Sequence, residues 1–213
     1  QLRDLSMVAG NKLKEHWEFV HTKKKYNEVS WFQNLPLKSI EIIKSLKLSV
    51  DDNIIDIGAG ESKLVDNLLE MGFINIDVLD ISKSAISKAK KRLGDKSSLI
   101  NWIVCDINNF KPIKKYKLWH DRAAFHFLRK EIEINNYVDL ASNSIFKNGK
   151  MIIATFSSKG PEKCSGLKVT RYSFESIKKQ FNNHFILDNH LITNHSTPFN
   201  TIQEFIFTIF FKI

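Results

Sequence analysis

A chain of 213 residues with 43% hydrophobic and 11% aromatic residues, 8 Gly and 4 Pro can bury a full core, which excludes the disordered and collagen-like classes. Two cysteines, Cys105 and Cys164, exclude a disulfide framework and a Cys-rich zinc site. The net charge of +9 admits a nucleic-acid partner, but all but five of the 32 basic residues are Lys. They lie in separate elements, at residues 23–25, 88–92, 114–117 and 178–179, which favours a solvated Lys-rich surface.

Residues 11–25 are polar with spaced aromatics, Trp17 and Phe19, and predict a helix. Pro36 opens a second helix, with Leu37, Ile40, Ile43 and Leu46 on one face. Residues 53–57 (NIIDI) form a short β-branched run that predicts a buried strand. Residues 61–71 then read as a helix with Leu64, Val65, Leu68 and Leu69 inward, stopped by Gly72. After a strand at 74–79, Ser82 or Ser84 caps a helix whose apolar face is Ile86, Ala89 and Leu93. Strands follow at 99–104 and 116–120, a helix at 129–146, a turn at 147–149 and a fifth strand at 150–156. A helix at 173–181 precedes two closing strands, 185–192 and 202–212, with no helix between them.

Alternation of strand and helix implies a parallel sheet covered on both faces. The closing pair must be antiparallel, because its loop is too short for a crossover. The expected fold is α/β: a Rossmann-like, seven-stranded, mostly parallel sheet with an antiparallel last strand and helices on both faces. One domain over 1–213 is expected, with 1–47 supplying a helical lid and first helix and 53–212 the sheet core. No apolar run reaches the ~18–20 residues of a membrane span, and QLRDLSMVAG lacks the order of a signal peptide. A cytoplasmic protein without a membrane partner, monomer or homodimer, is the expectation.

The first strand runs into Asp56-Ile57-Gly58-Ala59-Gly60-Glu61-Ser62, a sharp turn where missing side chains let a ligand approach the backbone. Asp80 ends the second strand, where a carboxylate can accept from both hydroxyls of a ribose. A dinucleotide loop would place a third Gly near Ser62 and a pyrophosphate on the following helix. Here Glu61 opens that helix and would repel phosphate, while Asp56 can hold an ammonium group. A cationic, phosphate-free ligand, S-adenosylmethionine, fits better than NAD. Asp106 at the end of the third strand can take an adenine amino group, with Ile81 and Ile107 sandwiching the ring.

Taken in order, these residues resemble the cofactor motifs of the class I S-adenosylmethionine-dependent methyltransferases, over roughly residues 36–212. The resemblance implies that Asp56 and Gly58-Ala59-Gly60 face the methionine moiety, Asp80 the ribose and Asp106 the adenine. Finer stretches are similar to a subgroup of small stand-alone methyltransferases of uncertain substrate. These are His16-Trp17-Glu18, Glu28-Val29-Ser30-Trp31-Phe32-Gln33, Trp119-His120-Asp121-Arg122-Ala123 and Gly160-Pro161-Glu162-Lys163-Cys164-Ser165-Gly166-Leu167.

Methyl transfer from a sulfonium mainly demands alignment of the acceptor. In a parallel α/β sheet the site lies beyond the carboxyl ends of the strands. His120, Asp121 and Arg122 after the fourth strand are the catalytic candidates: His120 as a base, Arg122 as a carboxylate clamp or a partner for Asp121. His126, among Phe125 and Phe127, reads as packing. The long connection 157–171 is a candidate lid, with Lys163, Arg171 and Tyr172 as substrate contacts and Cys164 as a packed thiol. Aromatics near the N-terminus, Trp31 among them, can cover the sulfonium. His184, His190 and His195 show no metal-ligand spacing, so no metal is expected. The expected function is methyl transfer from S-adenosylmethionine to a small molecule or a protein side chain. RNA methylation and non-catalytic S-adenosylmethionine binding are the alternatives.

Overall fold

A computed structural model describes residues 2–213, with side chains from residue 12 onward. Its helices are α1 (Leu2–Lys23), α2 (Leu37–Ser45), α3 (Leu64–Glu70), α4 (Lys83–Leu93), α5 (Glu131–Ser144) and α6 (Phe174–Phe181). The strands are β1 (Ile54–Ile57), β2 (Ile76–Asp80), β3 (Ile100–Val104), β4 (Tyr116–Arg122), β5 (Ile145–Phe156), β6 (Lys163–Cys164), β7 (Leu167–Lys168), β8 (Phe185–Ser196) and β9 (Ile202–Lys212). Seven of them form one sheet in the order β3-β2-β1-β4-β5-β9-β8. The pairs from β3 to β5 are parallel, and β9 runs antiparallel to both β5 and β8, as the strand pattern predicted.

Strands β1 and β2 are buried at every residue, which explains their continuous β-branched runs. Their side chains alternate between two cores. Ile55, Ile57 and Trp119 pack with Ile134 and Tyr137 of α5 and Ile177 of α6. Ile54 and Leu118 pack on the other face with Ile40 and Ile43 of α2, Leu64 of α3 and Ile86 of α4. This alternation decides which catalytic candidates share a face. Asp56, His120 and Arg122 go with Ile54 and Leu118, and Asp121 goes with Trp119.

Three local expectations are corrected. The helix expected at 61–71 begins only at Leu64. Arg92 of α4 explains the delay, since its guanidinium donates to the carbonyls of Glu61 (2.8 Å) and Ser62 (2.9 Å) and holds them out of the helix. Residues 147–149 do not separate helix from strand but lie within β5. Ile145 already pairs with Tyr116, and Lys150 rejoins the ladder opposite Leu118. The connection 157–171 is not an open loop, because β6 and β7 fold it into a small hairpin.

Helix α1 lies over the start of α4. The Glu18 carboxylate accepts from Ser82 Oγ (2.8 Å) and the Ser84 amide (3.2 Å), and Lys88 Nζ reaches the Lys24 carbonyl (3.0 Å). Ser82 is the cap of α4, accepting from the Ala85 amide at 3.1 Å, so Glu18 adds a carboxylate where the helix exposes amides.

Candidate active site

A cleft opens at the carboxyl ends of β1, β2 and β4, under α1. Its floor is the β1–α3 turn, where Gly58 (φ +61°) and Gly60 (φ +55°) hold left-handed backbone. A Cβ on Gly58 would lie 2.4 Å from the Ala124 Cβ, so the loop also needs glycine for space. A Cβ on Gly60 would enter the gap between His21 and Asp80.

Asp80 fastens this floor. One of its carboxylate oxygens accepts from the Gly60 amide (2.7 Å) and the other from the Ser82 amide (2.8 Å). Each oxygen has two lone pairs, so one on each is left for a pair of adjacent hydroxyls. Burial pushes the Asp80 carboxyl above its ordinary range, opposed by His21 and by these two amides. Ile81, Cys105, Ile107 and Asn108 also line the cleft. Asp106 does not line it. Its Oδ1 is occupied by the Asn108 amide and side chain, both at 2.9 Å, so the carboxylate caps its own turn. Glu61, expected to open a helix, instead faces His21 Nδ1 at 3.0 Å. Trp17 and Trp31 meet edge to face, centroids 5.6 Å apart, above the loop.

S-adenosylmethionine fits these groups. Asp80 has lone pairs that ribose hydroxyls could use, Ile81 and Ile107 offer apolar surface to a flat ring, and Asp56 lines the cleft beside the glycine turn. Trp17 and Trp31 offer aromatic surface to a sulfonium.

Of the three adjacent catalytic candidates, β4 divides Asp121 from the other two. His120 is 3% exposed, with Nδ1 2.7 Å from Asp56 Oδ1 and Nε2 2.9 Å from Ser39 Oγ of α2. Both ring nitrogens are engaged, and the ring faces the cleft. Asp121 points into the opposite core. It accepts from the amides of Ala124 (2.9 Å) and Phe125 (3.1 Å) and from Tyr137 Oη (2.7 Å), which makes it the pin of the corner after β4. Burial raises its carboxyl to about 6 despite those donors. It is therefore neither a reacting group nor a partner of Arg122. Arg122 lines the cleft and donates to the Trp31 carbonyl at 3.3 Å, with its guanidinium 5.0 Å from the centre of the Phe205 ring.

The substrate contacts expected from 157–171 lie elsewhere. Arg171 pairs at the surface with Glu162 (3.2 Å), Lys163 is exposed on the hairpin, and Tyr172 is 2% exposed and stacked on Phe125. Only Cys164 of this segment reaches the cleft, its thiol pushed up to about 12 by burial. His126 is packed as expected, and burial with the nearby Arg122 charge lowers its imidazole to about 3. Cleft residues left unassigned in the sequence include His21, Ser39 and Asn108. His21 had a signal, lying four residues after Trp17 and eight after Leu13 on one helical face. Among the described residues, no group of three metal-ligating side chains occurs, and no helix is long and apolar enough to cross a membrane.

The sheet order, the glycine turn and the acidic end of β2 define a class I S-adenosylmethionine-dependent methyltransferase. A family model described as a methyltransferase domain matches residues 48–203, and the chain belongs to that family. It is 34% identical over 109 residues to malonyl-[acyl-carrier protein] O-methyltransferase 1 of Ilyobacter polytropus, covering 50% of this chain and 39% of that protein. The chain thus spans well under half the length of this curated relative. Among solved structures, N-methyltransferase NodS from Bradyrhizobium japonicum with S-adenosyl-L-homocysteine superposes with a TM-score of 0.69 at 14% identity, over 92% of this chain and 98% of that one. The 1,6-didemethyltoxoflavin-N1-methyltransferase of Burkholderia thailandensis gives 0.70 at 13% identity, over 99% and 89%. At these identities the structures speak to the fold.

Proposed function

We propose that this chain transfers a methyl group from S-adenosylmethionine to a small acceptor, free or carried on a larger molecule, that enters the cleft beside Arg122. One observation carries the reading. A single cleft runs from the carboxylates of Asp80 and Asp56 to an aromatic chamber at the end of β4. The first end suits the polar and cationic parts of the cofactor, and the second suits an acceptor. The malonyl-carrier relative supports an acceptor of modest size. The free thiols Cys105 and Cys164 are consistent with a cytoplasmic setting.

When bound, S-adenosylmethionine supplies an activated methyl group on a sulfonium. The chain's own work is to hold and align. Asp80, itself held by the Gly60 amide, would hold the ribose end. Trp17, Trp31 and Phe127 wall off water and narrow the approach to one line. Asp56 holds the His120 ring by Nδ1, so Nε2 faces the Ser39 hydroxyl. That chain can draw a proton from an acceptor whose reacting atom bears one, through Ser39 to His120.

The test is transfer of tritiated methyl to fractionated metabolites, proteins and RNA, alongside calorimetry with S-adenosylhomocysteine and NADH. Label in metabolites or a carrier-linked group, with S-adenosylhomocysteine binding, is expected. Binding of NADH in its place would overturn the cofactor, and label confined to RNA would overturn the acceptor class.

A further inference from the structure

Arg122 is a largely enclosed cation whose charge is not answered. Among the described residues its guanidinium makes one hydrogen bond, to the uncharged Trp31 carbonyl, and no carboxylate lies within ion-pair distance. Its Nε is buried and has no partner. The carboxylate whose field reaches it, Asp56, is already engaged by His120 at 2.7 Å. The other groups around it are the Phe205 ring, the Tyr26 phenol, whose Oη donates to the Gln33 carbonyl, the buried Cys164 thiol, and the His195 and His126 imidazoles; His126 Nδ1 accepts from the Phe156 amide, and its Nε2 is also unpartnered. A guanidinium presents five N–H donors in a planar fork matched to a carboxylate. Leaving most of them unmet in an enclosed wall is costly unless an anion completes the site.

The direction of the side chain says which anion. Arg122 is in register with Ala154 of β5, and Ala154 with Phe207 of β9. The guanidinium crosses over the small Ala154 to reach Phe205 on β9. It therefore leans towards β9, on the side of β4 opposite β1 in the sheet order. The Gly58–Gly60 turn, where the methionine end of a cofactor would be held, follows β1 on the other side of β4. Arg122 is also the only Lys or Arg among the described residues that line the cleft, and Asp56 and Asp80 line it too, so a monoanion meets less repulsion there than a dianion.

We propose that Arg122 is the acceptor anchor, binding a carboxylate monoanion on the methyl acceptor, with Phe127 and Trp31 forming apolar sides of that subsite and the buried Phe205 ring backing the guanidinium. The inference rests on the methyltransferase reading and deepens it. It adds a specificity rule: acceptors carry a carboxylate, and neutral isosteres are refused.

The test loads the full chain with S-adenosylhomocysteine and titrates it with benzoate, benzamide and phenyl phosphate. Benzoate is expected to bind at least tenfold more tightly than benzamide and more tightly than phenyl phosphate. Arg122→Gln should abolish the preference over benzamide, Arg122→Lys should keep part of it, and S-adenosylhomocysteine affinity should change less than threefold in both. Arg122→Met should melt at or above the wild-type temperature, because an anchor without its anion opposes the fold. Equal binding of benzoate and benzamide to the wild type would overturn the proposal, and this arm needs no variant. A tenfold loss of S-adenosylhomocysteine affinity in Arg122→Gln would also overturn it, by giving the carboxylate to the cofactor. So would a marked fall in the Arg122→Met melting temperature, which would make the residue a strut for Trp31. Failure of S-adenosylhomocysteine to bind the wild type sinks the methyltransferase reading itself, a separate result.

Discussion

The two ends of the cleft satisfy their polar groups in opposite ways. At the Asp80 end the carboxylate already holds two backbone amides, and Glu61 holds His21. At the Arg122 end, Arg122 Nε and His126 Nε2 are buried without partners. The first end is a finished piece of the fold that offers spare lone pairs. The second is incomplete until something polar enters it. A site can therefore be preorganised for a ligand that varies little and left unsatisfied for the ligand it must select.

That contrast can be broken or sharpened by substitution. The largest effect is expected from Gly58→Ala, which meets Ala124 at 2.4 Å and imposes a side chain at φ +61°. A loss of about 3 kcal/mol in stability follows from adding left-handed strain to overpacking. Urea unfolding measures it, and an unchanged midpoint would show that the floor is not rigid. Next, Asp80→Ala should weaken S-adenosylhomocysteine binding by about 1–3 kcal/mol, the scale of an unmade buried polar contact. Calorimetry with unchanged affinity would remove its role at the ribose.

A smaller effect comes from Asp121, which lies outside the cleft and serves as a control. Its native carboxyl titrates at about 6 against an ordinary value of 3.8, so the folded state keeps a proton that the unfolded state has released. Stability should then rise as pH falls from 6 to 5, by about 1 kcal/mol for this group, and the gain should be complete below its unfolded value. Asp121→Asn should flatten that slope relative to wild type, and parallel slopes in the two proteins would contradict the assignment. The smallest change is expected from Glu18→Ala, where loss of the ties to Ser82 and Ser84 should cost about 0.5–1.5 kcal/mol. Dissociation of S-adenosylhomocysteine should quicken several-fold in stopped flow, and an unaltered rate would free α1 of any part in retention.

The same division governed what could be read from the sequence. The sheet order and the cofactor floor were legible because each feature is local. A buried β-branched strand, a Gly-x-Gly turn and an acidic strand end announce themselves within a few residues. The acceptor chamber was not legible, because its walls come from α1, α2, β4 and the 163–168 hairpin, which only the fold brings together. Asp121 was misassigned for a related reason. Adjacent residues on a strand face opposite cores, and no local signal says which of His120, Asp121 and Arg122 point to the cleft. Arg171 and Lys163 looked like lid residues until the long connection proved to be a hairpin turned to solvent. Asp106 sat at the right strand end but does not line the cleft, and its Oδ1 caps its own turn.

The placement of α1 has a consequence for turnover. His21, Glu18 and Lys24 tie that helix to the β1–α3 turn and to α4, directly above the floor. Exchange of spent for fresh cofactor must part these ties and re-form them each cycle. Were that parting slower than methyl transfer, the cover and not the chemistry would set the pace. A first turnover faster than those that follow would be its kinetic mark.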